Sequence, residues 1–478
     1  MAATPRVRGP SNDVVTAASL ARAVSESNGS VNGNGHGPSR GDRLAITSTS
    51  ERLTHYLFRY PAKFHAPVAR ALVEQYTEPG SLILDPFCGS GTLLVEAVVA
   101  GRSAVGIDVD PIAALVSAAK VRRFNATRLK KSVEDVLTRL SHFERSIDEY
   151  AALMFGRLGD DDYRCQLSPV QPWVPALPNI EHWFRDYVVI DLGRIRKVIE
   201  TTALPESHRL LMRVVFASII RNASNADPVP VSGLEVTSYM KARDARGRLI
   251  NPFALFRQSL DRAVSACAEF ALAAATDSSA RAVEGDATRL GRHLRKTVDA
   301  VITSPPYHGA VEYYRRHTLE MYWLGATTTH EERLALLQKY IGRPKVARRH
   351  PYVSNGALST TLASKWEKRI RAVSDERADA FRHYMVGMSK FFDGLAAHLH
   401  ERSPVVLVVG HSTWNKSKIP TTRLFEEIAH DHFELDEVRW YPVKNRYMSY
   451  SRHNGADIDE EYVLVLRRRA TQGRQARV

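Results

Sequence analysis

The stretch LILDPFCGSGTLLVEAVVAGRSAVGIDVDP, residues 82–111, decides the fold. Leu82–Leu84 is a short apolar run that stops at Asp85, the pattern of a buried parallel strand. Pro86–Gly91 follows as a tight turn carrying Gly89 and Gly91. Thr92–Ala100 is rich in Leu, Val, Ala and Glu and reads as a helix, and Ser103–Ile107 is a second apolar run that ends at Asp108. The unit is strand, turn, helix, strand, with an acid at the tip of each strand. Its glycines let the backbone approach a ligand closely, and a helix N-terminus follows the turn. In doubly wound sheets an acid about 20 residues beyond such a turn holds ribose hydroxyls. Asp108 is placed for that role.

The turn does not spell the dinucleotide pattern GxGxxG. Asp85-Pro86-Phe87-Cys88-Gly89-Ser90-Gly91 instead resembles the S-adenosylmethionine site of amino-directed nucleic-acid methyltransferases. The resemblance implies an α/β fold, a Rossmann-like doubly wound class I methyltransferase sheet with a closing antiparallel strand pair and helical insertions. It also implies cofactor contacts from Asp85, Pro86, Phe87, Gly89, Gly91, Thr92 and Asp108. This sulfonium cofactor has no pyrophosphate, so the glycines make room for its amino-acid part. Upstream, RYPAKFHAPVARALVEQYT (59–77) places Lys63 and Phe64 just before a helix that starts at Pro67. They match a Lys-Phe segment that packs over the methionine end of the cofactor in similar enzymes. Asp286, after a short strand in RAVEGDATRL (281–290), matches an acid that accepts the adenine amino group.

DAVITSPPY (299–307) carries the chemistry. Val301 and Ile302 read as a strand end, and Thr303–Tyr307 is the loop at its carboxyl edge, where doubly wound sheets bind ligands. An exocyclic amine on a base is a poor nucleophile, because its lone pair is delocalised into the ring. Acceptors on its N–H groups help it pyramidalise and align. Pro305 and Pro306 carry no N–H, so they stiffen a loop that offers carbonyl oxygens without competing donors. The Ser304 hydroxyl is a second acceptor, and Tyr307 can stack on a base turned out of the duplex. ITSPPY resembles the signature of N4-cytosine DNA methyltransferases. Adenine-directed enzymes usually have Asp or Asn before the two prolines. Carbon-5 cytosine chemistry needs a thiol after a proline, and no cysteine lies near Pro305 or Pro306.

The chain has 478 residues, enough for two or three domains or for one with large insertions. The expected division is a disordered tail (1–50, with a weak helix around Val14–Val24), a cofactor-site part (51–121) and a mostly helical insertion suited to target recognition (122–280). A part bearing the proline loop (281–326), a second insertion with a long helix (327–400), a third catalytic part (401–468) and a basic tail (469–478) follow. Helical periodicity is strongest over Ala378–Leu399, and Phe433–Val443 and Glu461–Arg468 read as the closing strand pair. Cys88, Cys165 and Cys267 are scattered without metal spacing, and His182 has no companion ligand, so no metal is expected.

A net charge of +14 suits a polyanionic partner, which the resemblance identifies as double-stranded DNA. Arg315, Arg316 and His317 after the proline loop, Arg348 and Arg349 in the basic loop 342–356, and Arg446 in NRYMSYSRHNG (445–455) are the candidate nucleic-acid contacts. The chain shows no secretory signal pattern and no apolar run of bilayer length. With its odd cysteine count this points to the cytoplasm of a bacterial or archaeal cell. The implied function is a site-specific DNA methyltransferase acting on N4 of cytosine in host DNA modification, with any restriction endonuclease on a separate chain. In this chain the cofactor motif precedes SPPY, the reverse of the order in many N4-cytosine enzymes. Adenine N6 methylation, amino methylation of RNA and a non-catalytic DNA-binding scaffold are the alternatives. The sequence leaves the recognition site and the oligomeric state open.

Overall fold

The computed structural model describes residues 41–46, 52–154, 165–228, 234–309, 313–415, 417–443 and 460–470. Seven strands make one sheet: β1 (Leu82–Asp85), β2 (Ser103–Asp108), β3 (Ala280–Glu284), β4 (Ala300–Thr303), β5 (Pro404–Val409), β6 (Phe433–Pro442) and β7 (Glu460–Arg468). Their order across the sheet is β3–β2–β1–β4–β5–β7–β6. Strands β1 to β5 pair in parallel, and β7 runs antiparallel to both β5 and β6. The doubly wound sheet with a closing antiparallel pair is therefore present. Strand order reverses direction between β1 and β4, which makes that crevice the topological switch point.

Side-chain alternation explains why the central strands read as unbroken apolar runs. Ile83, Ile302 and Val406 face one side, where they share a core with Val68, Leu72, Leu93 and Leu94. Leu84, Val301 and Val405 face the other, against Phe381, Met388 and Phe392. With helices on both faces, both sets must be apolar. The first face is covered by α1 (Ala66–Tyr76) and α2 (Thr92–Val99). After β2 comes α3 (Pro111–Lys120), whose start is capped by the Asp110 side chain accepting from the Ile112 and Ala113 amides.

The first insertion is helical. Its longer helices are α4 (Ala126–Ser141), α5 (Asp186–Thr201), α6 (Glu206–Ala223) and α7 (Pro252–Ala273). Their buried side chains, among them Val188, Leu192, Leu211 and Val215, form one apolar cluster with Ile112, Ala113 and Val116 of α3. In the second insertion α8 (Thr361–Arg371) precedes the long α9 (Asp375–Leu395). This last helix begins three residues before the Ala378 start expected from periodicity. Ser374 explains the shift, because its hydroxyl accepts from the Arg377 amide at 3.3 Å and caps the helix there. At the other end Ala396–His398 tightens into a 3-10 turn, so the α-helix stops short of Leu399.

Most of the expected N-terminal tail, the helix around Val14–Val24, the loop carrying Arg446 and most of the basic C-terminal tail lie outside the described residues. Within the stretch 41–46, Leu44 is buried and its amide donates to Trp440 of β6 at 2.8 Å. No described helix is long and apolar enough to cross a membrane. No group of three or more potential metal ligands occurs among the described residues.

Candidate active site at the carboxyl edge of the sheet

The strand order brings the carboxyl ends of β3, β2, β1 and β4 side by side, and hydrogen bonds tie each end to its neighbour. Gly285, just past β3, donates its amide to the Asp108 carbonyl at 2.8 Å. Cys88 in the glycine turn donates to the Ile107 carbonyl at 3.0 Å. The Thr303 hydroxyl at the end of β4 donates to Asp85 Oδ1 at 2.6 Å. Asp85, Asp108, Asp286 and Ser304, widely separated in the chain, are thus brought onto one edge.

The glycine turn is shaped by contacts that only bare glycines permit. Gly91 has φ +73°, and a Cβ there would lie 2.8 Å from Ser117 Oγ and 3.0 Å from Ser117 Cα. The Ser117 hydroxyl donates to the Gly89 carbonyl at 2.7 Å, so α3 buttresses the turn from below. The Gly89 amide donates to Asp108 Oδ2 at 2.8 Å, and the Asp110 amide donates to Oδ1 at 2.9 Å. Each Asp108 oxygen keeps a further lone pair for a ligand hydroxyl. Burial pushes the Asp85 and Asp108 carboxyls up to about 7, and for Asp108 the neighbouring charge of Asp110 adds to the effect. The Ser90 Oγ and Thr92 Oγ1 atoms are buried with no protein partner. Burial also raises the Cys88 thiol far above its usual range, so this cysteine packs and is no nucleophile.

Phe87 sets its ring edge-on to Phe391 of α9 at 5.2 Å. Lys63 holds its ammonium 4.0 Å from the centre of the Tyr56 ring. Phe64 packs against the apolar cluster that contains Val68 and Leu72. Asp286 caps a 3-10 turn at Ala287–Arg292, its Oδ1 accepting from the Thr288 amide and hydroxyl at 2.9 and 2.7 Å. The other oxygen lies 3.7 Å from Arg289.

In the proline loop, Pro305 is buried, while Ser304, Pro306 and Tyr307 are half-buried. The Tyr307 hydroxyl donates to Glu461 Oε1 at 2.8 Å, and the Tyr441 hydroxyl donates to Glu461 Oε2. Burial and the Glu461 charge push the Tyr307 phenol far above its usual range, so it stays protonated as a donor. The second insertion also reaches this loop. Gly309 donates its amide to the Gly342 carbonyl at 3.1 Å, which joins the loop to the segment bearing exposed Arg348 and Arg349.

One expected phosphate contact is corrected. His317 is only 2% exposed, and its Nδ1 sits 2.8 Å from Asp110 Oδ2. It therefore braces the end of β2 and cannot reach a phosphate. Arg315 is half-exposed and lies 4.0 Å from Glu235. Met321, Tyr322 and Trp323 are buried.

Several site residues escaped the sequence reading. Tyr60 lies over the turn, with its ring atom Cε1 3.5 Å from where a Gly89 Cβ would be. Its ring stacks on Tyr313 at 5.5 Å and lies 4.9 Å from His317. Glu461 gave no signal, because its partners are brought to it only by strand pairing. Lys120 did give one: a lysine closing the apolar face of a helix that includes Ile112, Ala113 and Val116.

Residues 24–117 match the family model described as DNA methylase. The chain is similar to the type II methyltransferase M.MvaI of Kocuria varians, 26% identical over 183 residues, 38% of this chain and 36% of that protein. It is also similar to the type II methyltransferase M.BsoBI of Geobacillus stearothermophilus, 25% identical over 305 residues, 59% and 55% of the two chains. The type II methyltransferase M.MjaII of Methanocaldococcus jannaschii is 29% identical over 120 residues, 25% of this chain and 21% of its own. The chain thus spans between 21% and 55% of the length of these relatives. Among solved structures, TrmN from Thermus thermophilus aligns with 85% of this chain and 50% of its own at 10% identity and a TM-score of 0.28. The match over the glycine turn and the similarity to three type II enzymes, on a sheet with this strand order, support an amino (N6/N4) DNA methyltransferase family for this chain.

Proposed function

We propose that this chain is a site-specific DNA methyltransferase that moves a methyl group from S-adenosylmethionine to an exocyclic base amine, with N4 of cytosine as the favoured target. The observation that carries the reading is the adjacency of the glycine turn and the proline loop at the β1–β4 crevice, fastened by the 2.6 Å bond from Thr303 to Asp85. The residues present fit the cofactor: a turn kept open by Gly89 and Gly91, the unpartnered Ser90 and Thr92 hydroxyls, and an acid at the ribose position. When bound, that cofactor supplies an electrophilic methyl on a sulfonium.

The chain's own residues account for the rest. Ser304 and the carbonyls of the proline loop accept the N–H groups of the target amine and turn its lone pair toward the crevice. Pro305 and Pro306 keep that loop from offering donors in the wrong place. Tyr307, its hydroxyl fastened to Glu461, offers a fixed ring face to a base taken out of the stack. The exposed Arg348 and Arg349, joined to the loop through Gly309 and Gly342, are available to backbone phosphates. Asp85, Pro86, Phe87, Thr92, Asp108, Asp286, Lys63 and Phe64 form the cofactor side in this reading.

The type II enzymes it resembles support a place in host DNA modification, with any nuclease on another chain. Nucleoside mass spectrometry after incubation with labelled cofactor and unmethylated DNA, with RNA in parallel, tests all of this. Labelled N4-methylcytosine is the expected product. Labelled N6-methyladenine would keep the DNA enzyme and overturn the role given to Ser304. Label in RNA alone would overturn the DNA substrate, and cofactor binding without label in either would favour a scaffold.

A further inference from the structure

Helix α8 carries the run Lys365-Trp366-Glu367-Lys368-Arg369, and the acids around it are all engaged. Glu367 is buried and lies 2.8 Å from Arg371 and 2.9 Å from Arg382. Asp375 and Asp379 also pair with Arg371, at 3.1 and 2.7 Å, and Glu376 lies 3.5 Å from Lys345. Four cations are left over. Lys365, Arg369, Arg377 and Lys418 are exposed, and none has a carboxylate within ion-pair distance among the described residues. A basic chain does not by itself produce this. In the first insertion Arg194, Arg213 and Arg257 each pair with an acid.

The two arginines of the group are held in place. The Arg369 guanidinium sits 5.0 Å from the centre of the Trp366 ring and donates to Ser417 Oγ at 2.8 Å. The Arg377 guanidinium sits 5.6 Å from the centre of the Trp414 ring. Both tryptophans are half-buried against the cluster that contains Phe381 and Phe392, so the platforms themselves are fixed. A guanidinium stacked on a ring keeps its N–H edge for a planar or tetrahedral oxyanion.

The patch is fastened to the proline loop. Trp414, Ser417 and Lys418 belong to a short hairpin in which Thr413–Trp414 pairs with Ser417–Lys418. This hairpin follows β5, on the same carboxyl edge as the loop after β4. The Ser412 hydroxyl at its base donates to the carbonyl of His308, the residue after Tyr307, at 3.2 Å. Burial and the charge of Arg377 pull the His308 imidazole down to about 4, so this arginine is felt at the loop. In the strand order β1 flanks β4 on one side and β5 on the other. The glycine turn and the cation patch therefore lie on opposite sides of the proline loop.

We propose that Arg369 and Arg377, with Lys365 and Lys418, clamp the phosphodiester backbone of the DNA strand that bears the target base, on the β5 side of the proline loop. This rests on the DNA reading above. The stacked guanidiniums meet phosphate oxygens through paired N–H donors, and the two lysines add charge. Such contacts set where the strand lies on the enzyme and leave the choice of sequence to other residues.

The test is fluorescence anisotropy with the full chain, S-adenosylhomocysteine and a short labelled DNA duplex of mixed sequence, titrated over a range of salt. An RNA duplex of the same sequence is run in parallel. Each phosphate contact adds about 0.9 to the slope of log affinity against log salt. Arg369→Gln/Arg377→Gln should flatten the wild-type slope by about 2 and weaken binding about 10- to 100-fold at low salt. Arg369→Lys/Arg377→Lys should restore most of the slope, which a variant with a merely damaged hairpin would not do. Arg295→Gln/Lys296→Gln removes as much charge just before β4, at the opposite edge of the sheet, and should change affinity no more than about 2-fold. An unchanged slope in the Arg369/Arg377 glutamine variant overturns the clamp. Equal losses in the two glutamine variants also overturn it, since net charge alone would then explain binding. A lysine variant as weak as the glutamine one overturns it in favour of a structural role. Tighter binding of the RNA duplex, with the same dependence on the patch, overturns the assignment to DNA. Failure of wild type to bind DNA at any salt overturns the DNA reading itself, and the clamp with it.

Discussion

The glycine turn after β1 and the proline loop after β4 lie side by side, yet they are held by different kinds of contact. The hydrogen bonds that fix Cys88–Gly91 come from partners no more than 29 positions away in the chain. Gly91 bonds back to Cys88 at 2.7 Å, Cys88 to Ile107, Gly89 to Asp108, and Ser117 to Gly89. The proline loop is fixed from a distance. Thr303 is held by Asp85, 218 positions away, and Tyr307 by Glu461, 154 positions away. The His308 carbonyl accepts from Ser412, 104 positions on. The glycine turn is bonded by chain close to it, whereas the proline loop is assembled from three remote segments. A shared ligand asks for one fixed shape, whereas target choice can vary with any of the imported pieces.

The sharpest way to break this comparison is Gly91→Ala. A Cβ would have to occupy the space of Ser117 in a left-handed conformation, so the expected cost is on the order of 2–4 kcal/mol of fold stability. Urea unfolding would read it, and a variant as stable as wild type would show that the turn is not locked by α3. On the other half, Tyr307→Phe and Glu461→Ala should each lower kcat about 10-fold with donor affinity unchanged. The double variant should be no worse than the worse single one, because both remove the same bond. Additive losses would mean that the two residues act separately.

The smallest effect concerns pH. Asp85 and Asp108 hold their protons up to about 7 in the fold, against 3.8 for an ordinary aspartate. The folded state therefore binds more protons than the unfolded chain across that interval. Their contribution to stability is greatest on the acid side and declines as pH rises from about 4 to about 7. Thermal melts of Asp108→Asn across this range should show a flatter decline than wild type. An unchanged slope would mean that Asp108 is not the group that titrates.

The same contrast separates what was legible in the sequence from what was not. The apolar runs ending at Asp85 and Asp108, the glycine pair and the closing strand pair follow from period and turn chemistry within short windows. So did the position of Ser304–Tyr307 at a strand end. Glu461 could not be read, because its role exists only once β7 pairs between β5 and β6. His317 was misplaced for a related reason. Its two arginine neighbours suggest a basic surface, yet helical rotation sends the imidazole inward to Asp110. Ser374 moved a helix start through a local cap that the apolar period does not see. Lys120 was visible as a lysine at the end of an apolar helix, a pattern that marks either an exposed helix end or a buried charge.

The cluster that joins α3 to the first insertion bears on any attempt to prune this protein. Residues 122–280 look detachable in the chain, since they interrupt a regular fold between one strand and the next. Their helices nevertheless cover Ile112, Ala113 and Val116, on the helix whose Ser117 supports the glycine turn. A shortened chain without them would leave that apolar face in water and slacken the support beneath the turn. A minimal version would have to redesign the outer surface of α3 before it could dispense with the helices that now cover it.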